Sequence, residues 1–402
     1  MTSLLIFIVV VLLGVAIWQL TKIFHLTQVG AAAQAEDTGV ATERDNTVNG
    51  YLMFAFVGFI YVFTIFSLWK WGHLVLGTPA SEHGPQYDNL MSISMWLIFV
   101  VQFITQFLLH YFSFKYRGEK GKVAFYYADN DKLEFIWTII PVIVLAGLIL
   151  YGLYAWTNIM FIEEEAKEDA VYVEVYAKQF SWEVRYAGKD GKLGKANVRY
   201  IKGINTLGVD ESDPNAQDDI QASELHLPKG KQIIFKFRSQ DVLHSAYMPH
   251  FRAQMNVVPG MVTQFGFIPT ITTDEMRQDP KIMQKVNHIN EIRSKKSAEL
   301  VADGKSALDP YTFDYLLLCN KICGASHYNM QMKIVVEDEA DFNKWLGAKE
   351  TFGTAIKKEK EGAAAPAPAE GAAPAAGEST ATKVDSTATT AKDTTATVAA
   401  AH

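Results

Sequence analysis

Four long apolar runs occupy the first 161 residues of this chain of 402: Leu4 to Leu20, Tyr51 to Leu68, Leu90 to Phe112 and Phe135 to Phe161. Each is near or above the length that crosses a hydrocarbon core of about 30 Å. No water reaches backbone groups inside that core, so such runs are predicted to be helices. Trp69, Trp71, Tyr111, Tyr116 and Trp156 stand near their ends, where interfacial aromatic residues collect. The front of the chain therefore reads as an α-helical membrane anchor with four predicted transmembrane helices.

Lysine and arginine set the orientation. The stretch between the third and fourth runs holds Lys115, Arg117, Lys120, Lys122 and Lys132, which predicts a cytoplasmic loop. Everything after Phe161 then lies outside. The first run also reads as a signal peptide, with Ala33-Gln34-Ala35 as its cleavage sequence. No positive charge precedes it, and three remaining spans would deliver the rest of the chain to the cytoplasmic side. Retention is the reading adopted. Pro141 lies inside the fourth run, where it kinks a helix unless neighbours satisfy the freed carbonyl.

Past Phe161 the pattern becomes that of short strands. Val171 to Tyr176, Phe180 to Tyr186, Ile233 to Phe237, Val262 to Ile268, Phe313 to Leu318 and Met332 to Val336 are strand candidates. Gly188-Lys189-Asp190-Gly191 reads as a hairpin turn. Many short strands predict a β-sandwich. Two segments interrupt it. Residues 189–225 are acidic, with Asp210, Glu211, Asp213, Asp218, Asp219 and Glu224. Residues 271–310 carry Ile282, Val286, Ile289 and Ile292 at helical spacing and read as a helical excursion. From about Ala355 the chain is rich in alanine, threonine and proline without apolar periodicity. A tail of that composition, residues 355–402, is predicted to be disordered.

The chemistry is concentrated in Cys319-Asn320-Lys321-Ile322-Cys323-Gly324-Ala325-Ser326-His327-Tyr328-Asn329-Met330. The chain's two cysteines are both here, too close in sequence to form a disulfide framework. Two thiolates, an imidazole and a thioether are soft or borderline donors, which suit copper better than magnesium or calcium. One loop does not close such a site, and His244 in Asp241-Val242-Leu243-His244-Ser245 is the best second histidine. A net charge of -7 argues against nucleic-acid binding. No CxxCH occurs, so no c-type haem is expected.

Together these residues resemble the binuclear copper centre, CuA, of subunit II of haem–copper cytochrome c oxidases. The family pattern is Cys-x-Glu-x-Cys-x3-His-x2-Met with an upstream Val-Leu-His-Ser. Every side-chain ligand type is present at its spacing, and Lys321 replaces the glutamate. The resemblance implies His244, Cys319, Cys323, His327 and Met330 as copper ligands, with the Lys321 backbone carbonyl as the sixth donor. In the family the glutamate carboxylate also holds a magnesium or manganese ion at the junction with subunit I. A charged ammonium has donors only, so Lys321 keeps the carbonyl role alone.

The resemblance covers about residues 90–345 outside the two insertions. It implies a transmembrane hairpin over 90–161 and an all-β, cupredoxin-like Greek-key domain over 171–345. The two spans within residues 1–70 are additions. It also implies subunit I, with its haems and CuB, and subunit III as partners. Cytochrome c or a c-haem domain would be the electron donor. The place would be a bacterial-type inner membrane with the copper domain extracytoplasmic. In the family electrons enter through a Gln-Trp-x-Trp motif; here the run is Gln179-Phe180-Ser181-Trp182, which makes Phe180 and Trp182 the candidates. Glu134 matches a carboxylate at the entrance of a proton pathway, and a first-turn carboxylate stabilised by the helix dipole is its plain alternative. Two other readings of the chain remain: a quinol oxidase subunit II, which lacks copper, and a membrane-anchored copper chaperone.

Overall fold

The computed structural model describes residues 11, 13–22, 42–72 and 75–364. Among the described residues three helices are long and apolar enough to cross a membrane: α1 (Glu43–Trp71), α2 (Gly84–Lys115) and α3, which begins at Asp131 and runs to Met160. They contain the second, third and fourth predicted spans. Of the first, residues 13–20 are helical; its remainder and Ala33-Gln34-Ala35 lie mostly outside the described residues. The helix of α3 continues through Pro141. Thr42 caps α1 reciprocally with Asp45, and the Asn130 side chain caps α3 on the Leu133 amide. Both caps satisfy first-turn amides that have no partner within the helix.

α1 and α2 pack against each other. Phe114 meets Phe54 at 4.8 Å and Tyr51 at 5.1 Å between ring centroids. Gly50 permits that approach, because a Cβ there would stand 2.9 Å from the Phe114 ring.

The β-domain is a sandwich of two five-stranded sheets, as the cupredoxin-like reading expects. One has the order β3-β2-β1-β5-β8, with β1 (Val171–Lys178), β2 (Ser181–Tyr186), β3 (Ile220–Ala222), β5 (Ile233–Ser239) and β8 (Thr263–Phe267). The other is β4-β10-β9-β6-β7, with β4 (Leu225–Pro228), β6 (His244–Met248), β7 (Ala253–Val257), β9 (Tyr315–Cys319) and β10 (Gln331–Glu337). β1 with β5 and β4 with β10 are parallel pairs. Val173, Val175 and Ala177 alternate inward from β1 onto Phe235, Leu317 and Ile334 of the shared core, as period-two side chains do.

Several sequence expectations need correction. The hairpin lies between β1 and β2, paired from Val173↔Tyr186 to Lys178↔Ser181, and turns at Gln179-Phe180. Residues 188–191 form a turn, but no tight hairpin follows: the chain runs through the first insertion before it pairs back on β2 as β3, Tyr186↔Ile220 to Val184↔Ala222. β3, β4, β6 and β7 carried too little β-branched alternation to be read as strands. The tail does not begin at Ala355: α5 (Phe352–Ala364) continues nine residues past it and buries Phe352 and Ile356. Those two side chains pack with Tyr176, Leu207, Val209 and Ala216 in a second, smaller core. The acidic insertion and the start of the tail thus cover the outer face of β1. Residues 365–402 of the predicted disordered tail lie outside the described residues. The second insertion forms α4 (Pro280–Ala302), with Ile282 buried and Ile292 exposed.

The segment between α1 and α2 is fastened under the sandwich. The Ala80 amide donates to His250 O at 2.8 Å, Glu82 N to Ile268 O at 3.0 Å, and the Ser81 hydroxyl to Phe251 O at 2.7 Å. Arg252 pairs with Asp88 at 2.7 Å. α2 starts at this contact and extends for 32 residues, about 48 Å at 1.5 Å per residue. The basic loop at its far end is therefore at the opposite end of the helices from the sandwich.

Candidate metal centre

The ligand loop leaves β9 at Cys319 and returns in β10 at Gln331, and these strands are antiparallel neighbours. Its ends are drawn together by Cys319 N donating to Met330 O at 3.0 Å. β9 also pairs with β6, Ala246 opposite Cys319, which brings His244 from another part of the chain to the same end of the sheet. The Asn320 amide fixes that juxtaposition by donating to Ser245 O at 2.9 Å.

All six donors expected from the sequence meet here. The Sγ atoms of Cys319 and Cys323 are 3.8 Å apart. Cys319 Sγ lies 3.8 Å from His244 Nδ1 and 3.2 Å from Lys321 O. Cys323 Sγ lies 3.6 Å from His327 Nδ1 and 3.8 Å from Met330 Sδ. Two sulfurs each about 2.3 Å from one ion can be no more than about 4.6 Å apart, and a sulfur and a nitrogen about 4.3 Å. The spacings fit metal ions shared by the thiols. His244 and Met330 are buried, Cys323 is 6% exposed and the Lys321 side chain faces solvent. Burial first, then the neighbouring Cys319, pushes the Cys323 thiol up to about 11, so a cation must displace its proton to bind.

Two residues the sequence reading left without a role complete the surround. Asp241 Oδ1 accepts from His244 Nε2 at 2.9 Å, and Oδ2 accepts from the Gln179 amide at 2.7 Å. Burial opposes ionisation of Asp241, yet the hydrogen bonds from His244, Gln179 N and Val242 N hold its carboxyl below the usual range. A carboxylate on the far nitrogen fixes both the tautomer and the direction of Nδ1. The Asp-x-x-His spacing was the signal that would have found it. Asp241→Asn is expected to lower metal affinity about 10- to 100-fold, measured by competition with a chelator; unchanged affinity would show that His244 is held by packing alone.

Of the other expected residues, Phe180 lies against the ligand loop. A Cβ added at Gly324, whose φ is +140°, would stand 2.8 Å from the Phe180 ring. Trp182 is 4% exposed, and its ring centroid is 6.1 Å from that of His244. Glu134 is exposed in the first turn of α3, away from this centre. His250, set aside from the sequence, packs edge-on against Phe313 and Tyr315. Burial lowers its pKa to about 4.

The family model for the transmembrane domain of cytochrome c oxidase subunit II matches residues 69–155. The alternative cytochrome c oxidase subunit 2 of Bradyrhizobium diazoefficiens is 32% identical over 293 residues, which cover 72% of this chain and 88% of that protein. The chain belongs to the cytochrome c oxidase subunit 2 family. As an oxidase subunit 2 it is also similar to that of Cereibacter sphaeroides, 22% identical over 66% of this chain and 77% of the other. The periplasmic domain of subunit II of cytochrome oxidase of Bradyrhizobium japonicum covers 47% of this chain, at 19% identity and a TM-score of 0.24. In this subunit 2 the helix α1 lies almost wholly before the matched transmembrane domain.

Proposed function

We propose that this subunit 2 binds a binuclear copper centre of the CuA type and is the port through which electrons reach the oxidase. The observation that carries the reading is the meeting of Cys319, Cys323, His244, His327, Met330 and the Lys321 carbonyl at one end of the sandwich. Cys319, Cys323, His244, His327, Met330 and the Lys321 carbonyl would hold the copper, which would supply one-electron uptake and release. The chain's part is to keep the donors still. His244 is held by Asp241, Cys319 by its place in β9, and Met330 by the buried core. A donor set that does not rearrange between oxidation states favours fast outer-sphere transfer. Phe180, in contact with the ligand loop, is better placed than buried Trp182 to meet a cytochrome c or c-haem domain. Haem a of subunit I would be the acceptor, oxygen would be reduced to water there, and Glu134 would serve proton entrance.

The far position of the basic loop supports an extracytoplasmic sandwich. The domain limits proposed are an added membrane region over residues 1–70 with two spans, a transmembrane hairpin over 90–161 and a copper domain over 171–345; α1, the pair α2 and α3, and the two sheets support them. The complete donor set speaks against a copper-free quinol oxidase subunit. The strand β10 after the loop speaks against a chaperone of thioredoxin type, which has a helix there.

The test is the optical and EPR spectrum of the copper-loaded chain. A mixed-valence binuclear signal is expected, and a single-copper signal would reject the reading. Met330→Leu conserves volume and removes a weak thioether donor. It is expected to retain both coppers and shift their reduction potential.

A further inference from the structure

We propose that Gln179 is a positioning residue for the copper site, a single side chain and amide that lock the two ligand-bearing segments to each other. The inference rests on the copper reading above. The ligands come from two stretches far apart in sequence, 241–244 and 319–330, and neither stretch alone fixes the distance between His244 and Cys319. Gln179 touches both. Its backbone amide donates to Asp241 Oδ2 at 2.7 Å, and the same carboxylate holds His244 Nε2 through Oδ1. Its side-chain Nε2 donates to the carbonyl of Cys323. The residue stands at the turn of the β1–β2 hairpin, whose six residue pairs make a stiff support.

The Cys323 carbonyl needs such a partner. The next residue, Gly324, has a φ of +140°, a conformation side-chain-bearing residues rarely adopt. The loop therefore turns at the peptide after Cys323, whose carbonyl accepts from Gln179 Nε2 at the hairpin. Phe180 closes over the same peptide, since its ring stands where a Gly324 Cβ would be. Hydrogen bond and ring together set the direction in which Cys323 Sγ leaves the loop. A thiol that holds a metal must keep its direction in both oxidation states, so this residue bears on potential and on copper retention rather than on folding.

The experiment uses the full chain in detergent, copper-loaded and copper-free, with Gln179→Met and Gln179→Glu. Methionine keeps the length of glutamine and removes the donor; glutamate turns an acceptor toward the Cys323 carbonyl. In both variants the backbone amide to Asp241 remains. Copper release to a chelator is expected to be about tenfold faster in Gln179→Met, the lower end for an outer hydrogen bond at a metal site. It is expected to be faster again in Gln179→Glu, with a changed copper hyperfine pattern and a shifted reduction potential in both. Melting of the copper-free chain is expected to match the parent. Release and hyperfine pattern unchanged in Gln179→Met would overturn the proposal. So would an equal loss of melting temperature in the copper-free chain, which would make the role one of folding. Absence of a binuclear signal in the parent chain would overturn the copper reading itself, and this proposal with it.

Discussion

Cys319→Ser and Cys323→Ser are each expected to abolish the proposed binuclear centre and with it the proposed uptake of electrons from an external donor. Each sulfur has a different set of neighbours: Cys319 stands with His244 and the Lys321 carbonyl, Cys323 with His327 and Met330. Only the 3.8 Å approach of the two thiols joins these sets. A serine hydroxyl is a hard donor that does not ionise readily, and soft thiolate is what would select copper here. With one sulfur gone the two half-sites no longer share a bridge, and copper content should fall to a single ion or none. Folding should survive, because serine is close in volume and the loop backbone is held by Cys319 N to Met330 O and Asn320 N to Ser245 O. The measurement is copper per chain with the EPR spectrum. A mixed-valence signal of parent shape in either variant would reject the ligand assignment.

Arg185→Ala is expected to be the most damaging change away from the metal. Arg185 is 1% exposed on the outer face of β2. It donates to Glu174 at 2.8 Å, to Asp219 at 2.6 Å and to Gly194 O at 2.9 Å. One guanidinium thus joins the sheet to both ends of the acidic insertion. Removing it leaves two buried carboxyls, of which Glu174 keeps Arg238 as a partner and Asp219 keeps only the Gly194 amide. Breaking a buried ion pair from one side costs about 3–5 kcal/mol, which is a fall in Tm of about 10 °C for a domain of this size. The pH dependence has a definite sign. Burial already raises the Asp219 carboxyl to about 6 against the opposing pull of Arg185. For Glu174 burial is outweighed by Arg185 and Arg238, and its pKa is lowered. In the parent, stability from Glu174 is present above its unfolded pKa and is lost as pH falls. In the variant, protonation relieves the unpaired carboxyls instead. The gap between the two proteins should therefore be widest near neutral pH and narrow on acidification. Melting curves across pH, with limited proteolysis of residues 188–219, test this. Equal melting temperatures near neutral pH would show that the insertion is held by its apolar contacts alone.

The sequence by itself determined the helical anchor and the ligand loop. Both signals are local: a continuous apolar run long enough to span a membrane, and four side-chain donors within twelve consecutive residues, Cys319 to Met330. His244 is 75 residues from Cys319. It was legible through the Val-Leu-His-Ser resemblance, while the contact itself depends on β6 pairing with β9. The tertiary structure alone decided the rest. Among the described side chains of helix α5, Phe352 and Ile356 are the buried apolar residues, too few to show against an alanine-, lysine- and glutamate-rich background. It is stabilised where the insertion presents Leu207, Val209 and Ala216 to it. Neither segment has enough apolar surface to order alone, so each looks like a polar excursion in isolation. Asp241 and Gln179 were likewise ordinary polar residues until the fold placed them against His244 and Cys323. Spacing along a chain reports which donors share a loop. Which loops share a site is fixed by strand pairing across long separations, where the gain from burying the common core exceeds the entropy of closing the intervening chain.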